Sequence, residues 1–333
     1  MSGQTLYISE PGCELRRAGN WLRLDRGKEC LLRASPRGLD HVIIFGDAVL
    51  TPESIVLLLK HNVPVSLLSP SGRFRGRILP PDAPAPSLRK AQYGCADDAI
   101  YSLDLARAIV RVKLTGGTQI LRRHSRNRGT SDVAAHIEAI RKARSRLGEA
   151  GSIGSLRGIE GRAGAAYFDG FRQLLREPAE FIRRTRRPPK DPVNALLSFG
   201  YCLVTAEVVG QVAAVGLDPQ VGFLHVTRAG RPALALDLVE EFRAPVVDRV
   251  VLRCWNLRML TPEDFYFSAE GVPLLRPDAR SRFIREYERR MNKPFRHVEG
   301  FRTTYRRLLH GQARAVAYCF RNHETYRGLP VRL

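Results

Sequence analysis

The chain has 333 residues, 44% hydrophobic and 8% aromatic, with 54 Lys and Arg against 33 Asp and Glu, a formal net charge of +21. That apolar content excludes a disordered chain, and the length allows one large core or two ordinary ones. A pI near 10.5 points to a polyanionic partner, with nucleic acid the leading class; a high-GC origin would explain Arg over Lys but not the excess itself.

Residues 1–80 carry 11 basic and 7 acidic side chains, a net of +4, so the later part holds the remaining +17 and should carry the polyanion footprint. The six cysteines form no CxxC pair, which argues against a zinc ribbon or iron–sulfur site. The first ten residues lack a basic n-region and an apolar h-region. The longest uncharged apolar stretch, 192–206, falls short of the ~20 residues that span a bilayer. A cytoplasmic protein with reduced thiols and no membrane partner is expected.

In chain order, residues 5–8, 21–24, 30–33, 41–45, 64–68 and 74–79 read as short strands between turn signals such as Pro11-Gly12 and Pro36-Arg37-Gly38. One helix interrupts them, with Thr51 as N-cap, Pro52 at its first position and a stripe of Ile55, Leu58 and Leu59. Four prolines within residues 80–86 then predict a stiff linker. Helices follow over 100–121, 134–147, 156–175 and 192–215, the last apolar nearly all round and so a central core helix. Further helices are expected over 245–255, 278–291 and 303–319. The fold class is α+β and multidomain: a β-rich domain 1–80, a Pro-rich linker 81–88 and a larger all-α domain 89–333. The basic residues Arg141, Lys142, Arg144 and Arg146 suit a solvated helix face or direct DNA contact. The basic residues after 300 divide the same way.

Three residues distant in sequence are the candidates for the chemistry. Glu160 falls on the apolar stripe of Leu156, Ala163, Tyr167 and Phe171. A carboxylate on a buried face needs a metal, a cation or hydrogen bonds, and pairing with Arg157 or Arg162 is the plainer alternative. Gly158, Gly161 and Gly164 around it imply close approach of a backbone or ligand. His225 ends Gly222-Phe223-Leu224-His225; alone it suits a satisfied structural histidine as well as a ligand. In the run from Leu234 to Arg243, Asp237 and Glu240 share a face if Asp237 opens a helical turn. The alternative is an N-capping Asp237 with Glu240 and Glu241 paired to Arg243. One imidazole and two carboxylates make a hard ligand set for a divalent metal.

These segments resemble the CRISPR-associated adaptation integrase (Cas-one) family. The carriers are Arg157-Gly158-Ile159-Glu160-Gly161, the run from Asp191 through Asn194 to Tyr201, Gly222 to His225, and Asp237-Leu238-Val239-Glu240-Glu241-Phe242-Arg243. In the N-terminal part, the run from His41 to Leu68 also looks like that family. The resemblance implies a β-sheet dimerisation domain and a helical catalytic domain. It makes Glu160, His225 and Glu240 the metal ligands, with Mg2+ or Mn2+ as the cofactor. It also implies support from Asp237, Asn194 and Tyr201, and phosphate contacts from Arg228 and Arg243. Many relatives have Asp at the place of Glu240, which leaves Glu241 or Asp237 open as the third ligand. The implied partners are double-stranded DNA, a second copy as homodimer, and a small ferredoxin-like adaptation protein whose dimer is bracketed by two dimers of this chain. The implied reaction joins prespacer 3′ ends to the leader–repeat of a CRISPR array in antiviral defence, with DNA cleavage as a side activity. A stand-alone structure-specific DNA or RNA nuclease, or a non-catalytic binder, would leave much the same sequence.

Overall fold

A computed structural model describes residues 4–72, 74–80, 85–128, 133–177, 179–186 and 188–329. Two four-stranded sheets come first. One holds β1 (Gln4–Ile8), β5 (Leu39–Phe45), β7 (Val65–Leu68) and β8 (Phe74–Ile78) in that order, parallel except for the β7–β8 pair. The other orders β4 (Glu29–Ala34), β3 (Trp21–Arg26), β2 (Cys13–Ala18) and β6 (Val49–Leu50). Helix α1 (Pro52–Lys60) leads from β6 towards β7, and Thr51 caps it by accepting from the Ser54 amide at 3.3 Å.

Strand β5 explains how these sheets meet the helices. Successive side chains point to opposite faces, and here both faces are buried. Val42 and Ile44 join the core between the two sheets; Ile43 and Phe45 join the large helical core. Phe45 meets Phe199 of the central helix with ring centroids 5.3 Å apart.

Among the described residues, α-helices account for most of the rest: after α1 come α2 (Pro86–Asp97), α3 (Ala99–Arg128), α4 (Ala134–Ser145), α5 (Ile153–Gln173), α6 (Pro192–Ala214), α7 (Ala233–Phe242), α8 (Arg249–Asn256), α9 (Pro277–Asn292) and α10 (Tyr305–Asn322). The described chain is thus α+β, sheets first and helices after. Two hairpins, β9 (Phe265–Phe267) with β10 (Pro273–Leu275) and β11 (Phe295–Arg296) with β12 (Arg302–Thr303), make the later part mostly rather than wholly helical. Residues 81–84 of the expected linker lie outside the described residues, and α2 already begins at Pro86.

Helix α6 is the central element. Asp191 caps it by accepting from the Asn194 amide at 2.8 Å, with Pro192 at the first position. It is long and apolar enough to cross a membrane, yet 78% of its most apolar window is buried inside the protein, so it serves as core. A Cβ at Gly200 would come 2.5 Å from Val247 and 3.2 Å from Phe283, so only glycine allows that packing. Beyond α7 the chain does not stop and restart at Pro245, as a helix over 245–255 would require. It widens into a π-helical turn, Arg243–Asp248, that accommodates the proline and runs into α8.

Candidate active site

Four segments converge on the site: α3, α5, the loop before α7, and α7 with its π turn. The loop is organised by one carboxylate. Asp237, fully buried, accepts from the amides of Phe223 at 2.6 Å, Leu224 at 3.0 Å and His225 at 2.8 Å. Its Oδ1 also lies 2.7 Å from His225 Nδ1. A carboxylate only accepts, so Nδ1 carries a proton, and whenever the ring is neutral Nε2 is its acceptor nitrogen. A carboxylate bonded in this way fixes the orientation of the ring. Gly222 permits the loop's approach to α7: a Cβ there would stand 2.6 Å from Ala233 Cβ and 2.9 Å from the His225 carbonyl oxygen. From the α5 side, Arg157 donates to the Leu224 carbonyl, with Nε at 2.9 Å.

Glu160 does not pair with Arg157 or Arg162. It receives the ammonium of Lys113 on α3. The same Nζ lies 2.6 Å from Glu240 Oε2, so one lysine bridges carboxylates from α5 and α7. Glu240 is nearly buried, and its Oε1 accepts from Arg243 at 2.7 Å. Burial alone would raise its pKa; Arg243, then Lys113, outweigh that and hold the carboxyl well below its usual range, with a smaller contribution from His225. Its Oε2 has the ion-pair contact but no well-directed hydrogen bond. Glu241 faces the other way. Its two oxygens accept from the Tyr326 hydroxyl at 2.9 Å and the Leu329 amide at 3.0 Å. Burial pushes its pKa up to about 7.

Next to Glu160 opens a cavity of about 500 Å³. Its walls include Lys113, Gly161, Gly164, Tyr201, Asp248 and the arginines 183, 184, 186 and 243. Gly161 and Gly158 meet nothing within 4 Å, and Gly164 only Glu160 Oε1 at 4.0 Å. The glycines therefore open space and are not pressed against another backbone. On the far wall, Asp248 accepts from the hydroxyls of Tyr167 at 2.6 Å and of Tyr201. Burial raises the Asp248 pKa, and those two hydroxyls oppose the rise. The Arg243 guanidinium lies over the Tyr201 ring, 4.0 Å from its centroid.

The structure thus brings Glu160 and Glu240 together through Lys113, with Tyr201 and Arg243 beside them and Asp237 behind His225. Among the described residues, no three His, Cys, Asp or Glu side chains are grouped tightly enough to hold a metal as they stand. Asn194 sits deeper. It is fully buried and ties the preceding loop to α6 through Asp191, Arg183, Arg184 and Thr185. Arg228 lies exposed on the loop before α7. The donor set nevertheless fits a hard divalent cation: two carboxylates already share one positive centre, and the neutral His225 ring has its Nε2 outside the bond to Asp237.

Sequence reasoning missed Lys113, Arg184 and Asp248. Lys113 was accessible in principle, since it stands at i+4 from buried Ile109 on the α3 stripe. A lysine in register with a core stripe signals a buried anion.

The fold is a mixed-sheet N-terminal part on a helical body, with paired acidic residues in a basic setting. Residues 6–289 match the family described as CRISPR associated protein Cas1, and the chain belongs to that family. It is 39% identical to a CRISPR-associated endonuclease Cas1 from Thermus thermophilus over 93% of this chain and 92% of that one. A Cas4/Cas1 fusion from Geobacter sulfurreducens shares 37% identity over 94% of this chain and 58% of its own length. Among solved structures, a casposase bound to integration product matches with a TM-score of 0.88 at 25% identity, covering 98% of this chain and 93% of that chain. A Cas6-RT-Cas1–Cas2 complex matches with a TM-score of 0.86 at 25% identity, over all of this chain and 36% of that one.

Proposed function

We propose that this protein is a CRISPR spacer-acquisition integrase whose site also cleaves DNA. Glu160, His225 and Glu240 are assigned as ligands of Mg2+ or Mn2+, and Asp237 as the residue that fixes His225. Glu241 is set aside as a ligand because its oxygens are engaged by the C-terminal segment. The observation that carries the proposal is the pair of carboxylates from separate helices sharing one cation beside an arginine-lined cavity.

A divalent ion in such a set supplies Lewis-acid polarisation of the phosphoryl oxygen and acidifies an attacking hydroxyl. The chain's own residues do the rest. Arg243, locked between Glu240 and Tyr201, presents fixed donors to a phosphate. Arg228 extends the backbone contact from the loop. In the reaction a prespacer 3′-hydroxyl oxygen forms a bond to a repeat phosphorus, and the P–O bond to the repeat's own 3′ oxygen breaks. Water in place of the hydroxyl makes the same site an endonuclease.

The assembly belongs to the proposal too: residues 1–80 as a dimerisation domain, 81–88 as linker and 89–333 as catalytic domain. Two such dimers would bracket one dimer of a small ferredoxin-like partner in the cytoplasm. Likenesses to a Cas1–Cas2 complex and to a casposase bound to integration product support joining over plain hydrolysis.

The test is strand transfer of a short duplex with free 3′ ends into a supercoiled plasmid bearing a leader–repeat, with the partner and Mn2+ or Mg2+. Covalent joining, lost with EDTA and in His225→Ala, is expected. Nicking without joining, lost in the same variant, would reduce the protein to a nuclease.

A further inference from the structure

Lys113 is not explained by the reaction. Its ammonium sits between the Glu160 and Glu240 carboxylates, on the oxygens assigned to the metal. Around this point the charges balance: two carboxylates face two cations, Lys113 and Arg243. The two cations differ in mobility. Arg243 is planar, stacked on Tyr201 and bonded to the opposite oxygen of Glu240. Lys113 is a compact charge on a flexible four-carbon stem, and it lines the adjoining cavity of about 500 Å³.

We propose that Lys113 is an exchangeable internal counter-ion, which holds the carboxylate pair together until a divalent metal takes its place, and then turns away into the adjoining cavity, whose walls carry Asp169 and Asp248 as well as arginines. The inference rests on the ligand assignment above. An ammonium and a divalent cation cannot both occupy contact distance from the same two oxygens, because like charges would meet there. Exchange resolves the conflict. It also leaves a positive charge facing the side from which a phosphate polymer would approach, so metal entry prepares that face for DNA.

A closed carboxylate pair makes only a fraction of molecules competent to bind metal, and apparent affinity falls by that fraction. Removing the lysine charge removes the competitor. The measurement is Mn2+ binding to the full chain without DNA, by titration calorimetry and by the electron paramagnetic resonance signal of free Mn2+. Wild type, Lys113→Met, Lys113→Gln and Glu240→Gln are compared. Lys113→Met and Lys113→Gln are expected to bind Mn2+ about tenfold more tightly. Their melting temperatures should drop in EDTA and recover with Mn2+ by more than wild type gains. Unchanged or weaker binding in both lysine variants, with binding lost in Glu240→Gln, would overturn the exchange while keeping the ligands. Binding in Glu240→Gln equal to wild type would overturn the ligand assignment, and the exchange with it.

Discussion

Asp237→Asn removes one negative charge and converts one carboxylate oxygen into an NH2 group at a fully buried position. Oδ1 serves the amide and the Nδ1–H of His225; Oδ2 serves the amides of Phe223 and Leu224. With the NH2 in place of Oδ2, two amide donors meet a donor; with it in place of Oδ1, only the His225 amide does, because the ring can switch tautomer and accept at Nδ1, moving its proton to Nε2. Hydrogen bonds to a charged group contribute about 1.5–3 kcal/mol each, so one or two lost bonds cost roughly 1.5–6 kcal/mol. That is a large share of the ~5–15 kcal/mol that stabilises a folded domain. Because the same carboxylate fixes the His225 ring, Mn2+ affinity should fall by about 10- to 100-fold as well. Urea unfolding monitored by circular dichroism, with Mn2+ titration in parallel, reads both effects. A stability loss under ~1 kcal/mol with unchanged Mn2+ affinity would refute the claim that Asp237 organises the loop.

Burial, with a smaller push from Arg306, lowers the His41 pKa from 6.5 to about 3, and its Nε2 lies 2.9 Å from Ser66 Oγ. The unfolded chain therefore takes up this proton first, and stability falls as pH drops below 6.5 toward 3, by roughly 1.4 kcal/mol per pH unit; thermal melts from pH 7 to 5 should show a shallower loss in His41→Gln than in wild type. Glu241 has the opposite sign: its pKa rises from 4.5 to about 7, so its contribution is present below 4.5 and lost as pH climbs through 7. Glu241→Gln should gain about 3 kcal/mol relative to wild type between pH 5 and pH 8, read as a difference in melting temperature against pH. Gly200→Ala drives a methyl to 2.5 Å from Val247, and the overpacking should cost about 1–3 kcal/mol in the same unfolding assay.

Much of the fold was legible where local pattern and burial agree. Strand β5 reads as an unbroken apolar run because both of its faces are covered, and α6 reads as core because Asp191-Pro192 marks its start and polar residues are scarce. Strand β2 was not seen: only Cys13 and Leu15 of Cys13–Ala18 are buried, and its remaining side chains are polar or exposed. The pattern turns helical from Ser87, but α2 is not delimited as an element of its own, because Gln92, a polar residue, occupies a core position by bonding the Asp218 and Val221 carbonyl oxygens. A new helix is expected from Pro245, but the chain runs through in a π turn, with Val247 packed against Gly200.

The site divides along similar lines. Asp237 and Glu240 at i and i+3 do lie on one helix, as their spacing suggested. Their duties differ because Asp237 faces the preceding loop and Glu240 faces α3 and α5. The choice between Glu240 and Glu241 could not be read locally, since it depends on Tyr326 and Leu329 some 85 residues later. The bridge by Lys113 is equally non-local: it joins positions 113, 160 and 240, which no short motif links.

Glu160, His225 and Glu240 are proposed to hold a divalent metal. Crystals of the full chain soaked in Mn2+ and measured at the manganese absorption edge would locate it. An anomalous peak is expected within bonding distance of a Glu160 oxygen, a Glu240 oxygen and His225 Nε2, with Lys113 turned away. A peak on Asp237 or Glu241, or none in crystals that bind Mn2+ elsewhere, would contradict it.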